Sequence, residues 1–267
     1  MSFAERYGPW AIVMGASEGT GRSFARAIAA REVPCILLAR REGPLRALAE
    51  EIRADTGIDC VTAAVDLAAA DAFERIDAAV DTRGVGLLVC NAGSDPNGAR
   101  FHDREVGVWL ELVQRGVVTL VKCCHHFGAL MRARGKGGML LVNSGACYGG
   151  GSFLATYSAT KAFMLNLAEG LWSELRPHGI DVLSLVLGMT DTPALRQLLE
   201  EHGKPIPPNL ASPDEVAEVG LARLAHGPVH NWGASDNELG FAPMSASTRR
   251  SRVLMIDAAA KRVFKQP

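Results

Sequence analysis

The stretch "WAIVMGASEGTGRSFA", residues 10–25, decides the fold. It opens with an apolar run typical of a buried strand, passes through Gly15, Gly19 and Gly21, and ends in a helical pattern. Glycine lets the backbone turn sharply and lets a ligand approach closely, and the helix that follows presents free N–H groups. A tight turn alone would also use glycine, but the place between first strand and first helix favours binding of dinucleotide phosphates.

The same alternation of short apolar runs and amphipathic stretches continues along the chain. Strands are predicted at 10–15, 35–39, 60–65, 86–90, 137–144 and 180–187, and helices at 19–31, 44–56, 69–81, about 105–134 and 156–176. Runs rich in Val, Ile and Leu between Gly and Pro are typical of strands buried on both faces. The pattern predicts an α/β fold, a doubly wound parallel sheet (Rossmann-like), forming a single domain over residues 1–267.

The regular pattern ends at Gly188. Residues 188–211 are expected to form a mobile substrate lid, in which Leu195, Leu198 and Leu199 suggest an apolar covering surface, and the proline-rich "KPIPPNLASP", residues 204–213, should be a loop. A helix should follow, with Ser212 as its N-cap and Pro213 at its first position. Residues 227–267 read as a divergent tail: 231–245 are rich in Gly and Ser and hard to place, and a terminal helix is predicted at 247–264.

Composition excludes several classes of function. The 267 residues carry a formal net charge of −1 with scattered lysines and arginines, so no footprint for nucleic acid or an anionic membrane is expected. No apolar run is long enough for a membrane span, and the first ten residues lack a signal-peptide core, which favours a cytoplasmic protein. The six cysteines form no C-x-x-C pair and His125 and His126 have no partner nearby, so we expect reduced thiols and no metal.

Arg40 and Arg41 follow the second strand about twenty residues after the glycines. An acidic residue there would bond the 2′-hydroxyl of NAD, whereas an arginine pairs with the 2′-phosphate of NADP. Arg40 therefore favours NADP(H). Two alternatives stay open: the arginines may be a solvated pair at a helix start, and Glu18 or Glu42 could place a negative charge beside the same ribose.

Tyr157 and Lys161 in "YSATK" share one face of a helix, and Ser144 ends the strand before it. An ammonium about 4 Å from a phenol, at an effective dielectric of about 20, is worth roughly 4 kcal/mol. Without opposing desolvation this brings the pKa of the phenol from near 10 towards 7, where it can exchange a proton with an alcohol or carbonyl oxygen. Ser144 can hold the same oxygen. Alone, a Tyr-x-x-x-Lys pair is usually structural.

Taken in order, "GASEGTG", "VDL", "CNAGS", "NSGACYGG", "YSATK" and "LGMTDTP" resemble the short-chain dehydrogenase/reductase family over about residues 10–225. The resemblance implies an NADP(H)-dependent oxidoreductase that interconverts a secondary alcohol and a ketone, built as a homodimer or homotetramer on the helices of 105–134 and 156–176. It implies catalytic roles for Ser144, Tyr157 and Lys161. The implied cofactor contacts are Gly15, Ser17, Gly19, Thr20, Gly21, Arg40, Asp66, Leu67, Asn91, Ala92, Gly93, Tyr157, Lys161, Gly188, Thr190 and Thr192.

The chain departs from the family pattern at three places. Gly116 replaces an asparagine expected to fix a helix kink and to carry a water-mediated proton relay to the lysine. Leu187 replaces the proline before Gly188, which should loosen the loop. The tail lacks the usual closing strand and glycine pair. Gly116 motivates a rival function, a nucleotide-binding regulatory protein that has lost efficient catalysis. Cys147, Tyr148 and Phe153, between Ser144 and Tyr157, line the substrate pocket or only pack the loop.

Overall fold

The structure is a computed structural model that describes residues 1–95 and 97–233, together with Ala258 and Arg262. The terminal helix predicted at 247–264 lies outside the described residues, apart from the helical positions Ala258 and Arg262. The Gly- and Ser-rich segment also lies outside them beyond residue 233. Among the residues described, no helix combines the length and the apolar character that a membrane span requires.

One parallel sheet of seven strands, in the order β3-β2-β1-β4-β5-β6-β7, organises the molecule. Its strands are Trp10–Met14 (β1), Cys35–Ala39 (β2), Val61–Ala64 (β3), Val85–Cys90 (β4), Gly137–Ser144 (β5), Ile180–Leu187 (β6) and Val229–Asn231 (β7). The order reverses between β1 and β4, where a doubly wound sheet binds its ligand at the carboxyl ends of the strands. The predicted fold class is confirmed, and all six predicted strands are present.

Helices cover both faces of the sheet. They are Phe3–Tyr7 (α1), Gly19–Ala29 (α2), Glu42–Thr56 (α3), Ala72–Val80 (α4), Val106–Val113 (α5), Thr119–Arg134 (α6), Ala155–Leu175 (α7), Pro193–Glu201 (α8) and Pro213–Arg223 (α9). The region predicted as one helix at 105–134 is divided by a π-helical turn at Gln114–Val118. Alternate strand residues face opposite sides, so Val13 packs in the layer with α2, α3 and α9, whereas Ile12 packs with α4, α6 and α7.

Two features differ from the sequence prediction after residue 188. A seventh strand closes the sheet, with Ser184 of β6 paired to Val229, so the expectation that the tail lacks a closing strand is wrong. The lid segment contains helix α8, which the sequence analysis did not predict and whose Leu199 is buried, whereas the proline-rich residues after it form the expected loop. Helix α9 begins at Pro213 as predicted, but the side chain of Ser212 makes no capping hydrogen bond.

The far end of the sheet is fastened by an ionic cluster around Asp181 at the start of β6. Its carboxylate accepts hydrogen bonds from Arg6 at 2.6 Å and from the Tyr7 hydroxyl at 2.7 Å. Burial, with the hydrogen bond to Asp181, raises the pKa of Tyr7. This cluster holds α1 against the start of β6. The six cysteines are free thiols, as expected.

Candidate active site

The turn after β1 has the shape that its glycines predict. Gly15 has φ +82° and Gly19 has φ +53°, the left-handed region that other residues rarely adopt. Gly21 is required for packing instead, because a methyl group there would clash with the carbonyl oxygen of Gly15 and approach Asn91 Nδ2 at 2.7 Å. The turn is thus pressed against the end of β4, and α2 begins directly beneath it.

Asn91, just after β4, fastens this turn from the neighbouring strand. Its Oδ1 accepts a hydrogen bond from the Thr20 hydroxyl at 2.6 Å, and its Nδ2 donates to the Gly15 carbonyl at 3.2 Å. The amide therefore joins the junction after β1 to the junction after β4, which are neighbours in the sheet. This connection fixes the floor of the cleft where the strand order reverses.

A cleft of ≈ 500 Å³ opens above the turn, within the size range of small-molecule sites. Its walls include most of the residues that the sequence assigned to a cofactor: Gly15, Ser17, Gly19, Thr20, Arg40, Asp66, Leu67, Asn91, Ala92, Gly93 and Thr192. Gly21 lies beneath the cleft, Gly188 and Thr190 do not line it, and Tyr157 and Lys161 line a small cavity next to it. The Asp66 carboxylate caps its own loop by accepting from the Ala68 N–H at 3.0 Å, while Thr119 Oγ1 donates to the Leu67 carbonyl at 2.9 Å.

Charged side chains at the mouth of the cleft divide into paired and free groups. Arg41 donates to Glu18 at 2.6 Å, and Arg46 donates to Glu42 at 2.6 Å. Both acids that might have opposed a phosphate are therefore engaged with other arginines. Arg40 is exposed and forms no hydrogen bond or ion pair within residues 1–95 and 97–233.

Arg115 is a site residue that the sequence analysis missed. It lies in the π-helical turn, is half-buried, lines the same cleft as Arg40, and donates from Nη2 to the Ser94 carbonyl at 2.8 Å. Burial lowers the pKa of Arg115, and the positive charge of Arg40 lowers it further. In the sequence Arg115 stands between Gln114 and Gly116 in a predicted helix, a pattern that does not distinguish a cleft residue from a solvated one.

Ser144, Tyr157 and Lys161 come together where β5 ends and α7 begins. Asn143 connects them: its Oδ1 accepts from the Ser144 N–H at 2.8 Å, and its Nδ2 donates to the Lys161 carbonyl at 3.2 Å and to Ser184 Oγ at 3.1 Å. This buried amide joins the end of β5 to α7 and to β6. It sets the spacing between the serine and the helix that carries the tyrosine and the lysine.

The pKa of Tyr157 is higher than the sequence analysis expected. Burial raises the pKa of Tyr157, while the neighbouring Ser144 side chain and the charge of Arg115 pull it down. Lys161 Nζ lies 5.7 Å from the centre of the tyrosine ring, and its charge is not the main influence on the pKa of Tyr157. The expectation of a phenol brought towards pH 7 by Lys161 is wrong for this structure, because it treated the charge pair without the cost of desolvation.

Lys161 is buried beside the site, with only 5% of its surface exposed. Its ammonium donates to the Val142 carbonyl at 2.9 Å, and its Nζ would lie 3.0 Å from a methyl group at Gly93, so a larger residue at 93 would displace it. Burial, followed by repulsion from Arg115, lowers the pKa of Lys161 to about 8. The lysine is therefore a cation that gives up its proton far more readily than one in water.

Gly116 lies in the middle of the π-helical turn and faces Thr160 of α7. The expectation that the kink needs an asparagine side chain is wrong, because the helix is distorted at this position with glycine in place. A methyl group at Gly116 would lie 3.3 Å from Thr160 Cβ. The adjoining cavity, lined also by Tyr157 and Lys161, is ≈ 10 Å³, the lower limit for one water molecule.

The loop after β6 folds back over the glycine turn. Leu187 is paired with Ser144 as the last residue of its strand, so its backbone is held although proline is absent. Thr190 is buried, and its Oγ1 has no hydrogen-bond partner within the described chain. Thr192 caps α8 by accepting from the Leu195 N–H at 3.2 Å, and its methyl group would lie 2.9 Å from a methyl group at Gly19. Gly188 is exposed.

The segment between Ser144 and Tyr157 packs more tightly than an open pocket wall. Cys147 and Phe153 are buried, which favours the packing alternative for both. Phe153 has φ +67°, and Arg100 lies 5.6 Å from the centre of its ring. Tyr148 is half-buried and donates to Asn231 Oδ1 of β7 at 2.8 Å, so the new edge strand holds this loop.

A dinucleotide cofactor fits these residues. The glycines leave a cradle that side chains would fill, the cleft is large, and Arg40 at its wall forms no ion pair within the described residues. These features offer space and hydrogen-bond donors to the phosphates of a dinucleotide.

The model of the family "short chain dehydrogenase" matches residues 9–203 of this chain. The chain belongs to the short-chain dehydrogenase family. It is therefore an oxidoreductase of that family, as the resemblance implied. A family member from Mediterraneibacter gnavus, a 7β-hydroxysteroid dehydrogenase, is 28% identical over 251 residues, which are 89% of this chain and 95% of that protein.

Solved structures of short-chain dehydrogenases resemble the whole fold. One, from work on the stereoselectivity of a 7β-hydroxysteroid dehydrogenase, has a TM-score of 0.81 and 25% identity, covering 99% of this chain and 98% of that chain. Another, a metagenomic short-chain oxidoreductase in complex with NADP, has a TM-score of 0.69 and 25% identity, covering 83% and 93%.

Proposed function

We propose that this short-chain dehydrogenase interconverts a secondary alcohol and a ketone with NADP(H), using Ser144, Tyr157 and Lys161. The observation that carries the proposal is the convergence of these three residues on one end of the sheet, held by Asn143 beside the cleft. The Mediterraneibacter gnavus relative is named for a hydroxysteroid, which supports a bulky, largely apolar alcohol or ketone as the substrate class here.

Each residue has a separate task in this proposal. The cofactor, when bound, supplies or accepts the hydride. Ser144 holds the substrate oxygen by a hydrogen bond. Tyr157 exchanges a proton with that oxygen, and its raised pKa keeps the phenol protonated at neutral pH, which is the form that ketone reduction requires. Lys161 places a positive charge beneath the phenol and stabilises its anion when the proton leaves.

Arg40 supports the choice of NADP(H) over NAD(H). The Arg40 guanidinium, which has no partner among the described residues, matches a phosphate on the adenosine ribose, and the competing acids Glu18 and Glu42 are paired with Arg41 and Arg46. The remaining cofactor residues keep the roles that the resemblance implies. Thr190 and Thr192 would hold the carboxamide end, and α8 would serve as the lid, with Leu195 and Leu198 facing an apolar substrate.

The proposal is tested by replacing Tyr157 with Phe. Turnover of a bulky ketone should fall by about 10²–10⁴-fold, the usual contribution of a general acid, while the dissociation constant of NADPH changes little. Tyr7→Phe is the matched control, because that phenol is bound to Asp181 at the other end of the sheet. A Tyr157→Phe variant as active as the parent would sink the proposed mechanism.

Arg40→Gln tests the cofactor preference. Loss of one charge-assisted contact of about 1.5–3 kcal/mol should weaken NADPH binding about 10–100-fold and leave NADH nearly unchanged. Arg53→Gln removes an exposed arginine of α3 that is paired with Asp59 and does not line the cleft, and it serves as the control. Equal weakening of both cofactors would contradict a phosphate role for Arg40.

A second candidate is a nucleotide-binding protein with impaired catalysis, which Gly116 favours. The cavity at this position is at the limit for a single water molecule, so a proton relay through it would be poor. A panel of ketones and alcohols, followed by nicotinamide absorbance with both cofactors, separates the two functions. Tight NADPH binding without turnover of any substrate would favour the second candidate.

Homo-oligomerisation is proposed as well. Large apolar side chains are exposed along α5, α6 and α7: Val106, Leu110, Val121, Leu130 and Phe163. Such a surface is typical of an interface between copies of a chain. Light scattering should give a dimer or tetramer, and a monomer at micromolar concentration would contradict this proposal. A cytoplasmic location stays a prediction from the sequence.

A further inference from the structure

Arg115 is a half-buried cation that forms no ion pair within the described residues, although the charges of Asp66, Asp95 and Glu111 oppose the lowering of its pKa. Within the described chain its hydrogen bond goes to the neutral Ser94 carbonyl, and it forms no ion pair. The nearby carboxylates form no ion pair with it in the part of the chain that the structure describes: Asp66 accepts from the Ala68 N–H, and Asp95 accepts from Asn97 through Oδ1, while its Oδ2 is buried without a partner there. A partly desolvated charge without an ion pair is costly, so Arg115 is suited to an anionic ligand.

The position of Arg115 in the fold points the same way. Thr119, four residues later, is tied to the Leu67 carbonyl, and Arg115 itself is tied to Ser94 beyond β4. The turn that carries Arg115 is therefore anchored to the loops after β3 and β4. Arg40 follows β2, on the other side of β1, and both guanidinium groups line the one cleft above the glycine turn.

Electrostatics supports a shared ligand. The charge of Arg40 disfavours the charged form of Arg115 and lowers its pKa, so the two guanidinium groups are close enough to repel each other. A bound anion near both groups would relieve this repulsion and offset the desolvation of Arg115. Arg40 and Arg115 therefore line the cleft together with Asp66 and Leu67, while the third arginine of the lining, Arg41, is paired with Glu18.

We propose that Arg115 is a phosphate-binding residue of the cofactor cleft, acting together with Arg40. The inference rests on the proposed function, since the ligand is the dinucleotide of that function. The phosphate can come from two parts of the cofactor, the 2′-phosphate that only NADP(H) carries and the pyrophosphate that NAD(H) shares. Either contact would be charge-assisted, and an arginine fork is well suited to it.

The test measures equilibrium binding of NADPH, NADH, 2′,5′-ADP and ADP to the intact chain and its variants by calorimetry. Arg115→Gln should weaken NADPH binding at least about tenfold, the loss expected for one charge-assisted contact. Arg115→Lys, which keeps the charge, should lose less. Arg132→Gln is the control, because this exposed arginine of α6 lies near the other end of that helix.

The ligands distinguish the two phosphates. Weaker binding of 2′,5′-ADP with ADP unchanged assigns Arg115 to the 2′-phosphate, and weaker binding of ADP, which alone of the two carries a pyrophosphate, assigns it to the pyrophosphate; both outcomes support the inference. Wild-type affinity of Arg115→Gln for all four ligands overturns it and leaves the proposed function intact. Failure of the wild-type protein to bind NADPH at all would instead overturn the proposed function. Melting temperatures confirm that each variant is folded.

Discussion

Replacing Lys161 with Met should abolish turnover and at the same time stabilise the protein. A pKa of about 8 instead of 10.5 means that the buried ammonium is disfavoured by about 3.4 kcal/mol relative to the unfolded chain. Methionine removes this term, but the Val142 carbonyl loses its donor at a cost of about 1 kcal/mol. The variant should therefore be more stable by about 2 kcal/mol at pH 7, or roughly 4–8 °C in Tm.

The gain should depend on pH in a defined direction. Below pH 8 both folded and unfolded wild-type chains carry the proton, and the folded state bears the whole penalty. Between about 8 and 10.5 the unfolded chain binds more protons than the folded one, so wild-type stability rises with pH relative to a chain without the lysine. From pH 7 to pH 9.5 the advantage of Lys161→Met should shrink by about 2 kcal/mol.

Thermal unfolding of wild type, Lys161→Met and Lys204→Met at pH 7 and pH 9.5 measures this difference. Lys204 lies in the loop after α8, and its removal should leave the gap to wild type small and independent of pH. Two results would refute the reasoning: a Lys161→Met variant less stable than wild type at pH 7, or a gap of the same size at both pH values. Either would mean that burial does not disfavour the ammonium.

Glycine substitutions and the pH dependence of the rate give further predictions. Gly21→Ala should destabilise the protein by about 2–3 kcal/mol and weaken NADPH binding through overpacking. Gly43→Ala, in open space on α3, should stabilise it by up to about 1 kcal/mol, and urea denaturation compares the two. Gly116→Asn should raise kcat for ketone reduction with little change in the KM for NADPH; an unchanged or lower kcat would count against a relay limited at this position. The rate of ketone reduction should be constant near pH 7 and fall above about pH 8 as Lys161 loses its proton, and Arg115→Gln should shift that fall to higher pH.

The fold and most of the cleft could be predicted because their causes are local. Apolar runs bounded by glycine and proline specify buried strands, and the sterics of Gly15 and Gly21 specify the turn. The strand Val229–Asn231 was missed because three residues carry too little pattern. It forms only where β6 offers an edge, with the Ser184 N–H donating to the Pro228 carbonyl at 2.8 Å.

The chemistry of the site was harder to predict because it depends on contacts distant in sequence. Arg115 becomes a cleft residue only through the anchoring of its helix at Leu67, 52 residues from Thr119. The pKa of Tyr157 depends on how much protein covers the phenol, which residue spacing does not reveal. Likewise, the sequence does not reveal that Glu18 pairs with Arg41, so from the sequence alone the charge of Glu18 argues against NADP(H).

Asn143 has a consequence for redesign of this enzyme. The side-chain amide of Asn143 holds together Ser144, helix α7 with its tyrosine and lysine, and strand β6. None of these hydrogen bonds involves the lid segment, residues 188–211. Replacing the lid segment should therefore change the range of accepted substrates without moving Tyr157, the proposed proton donor.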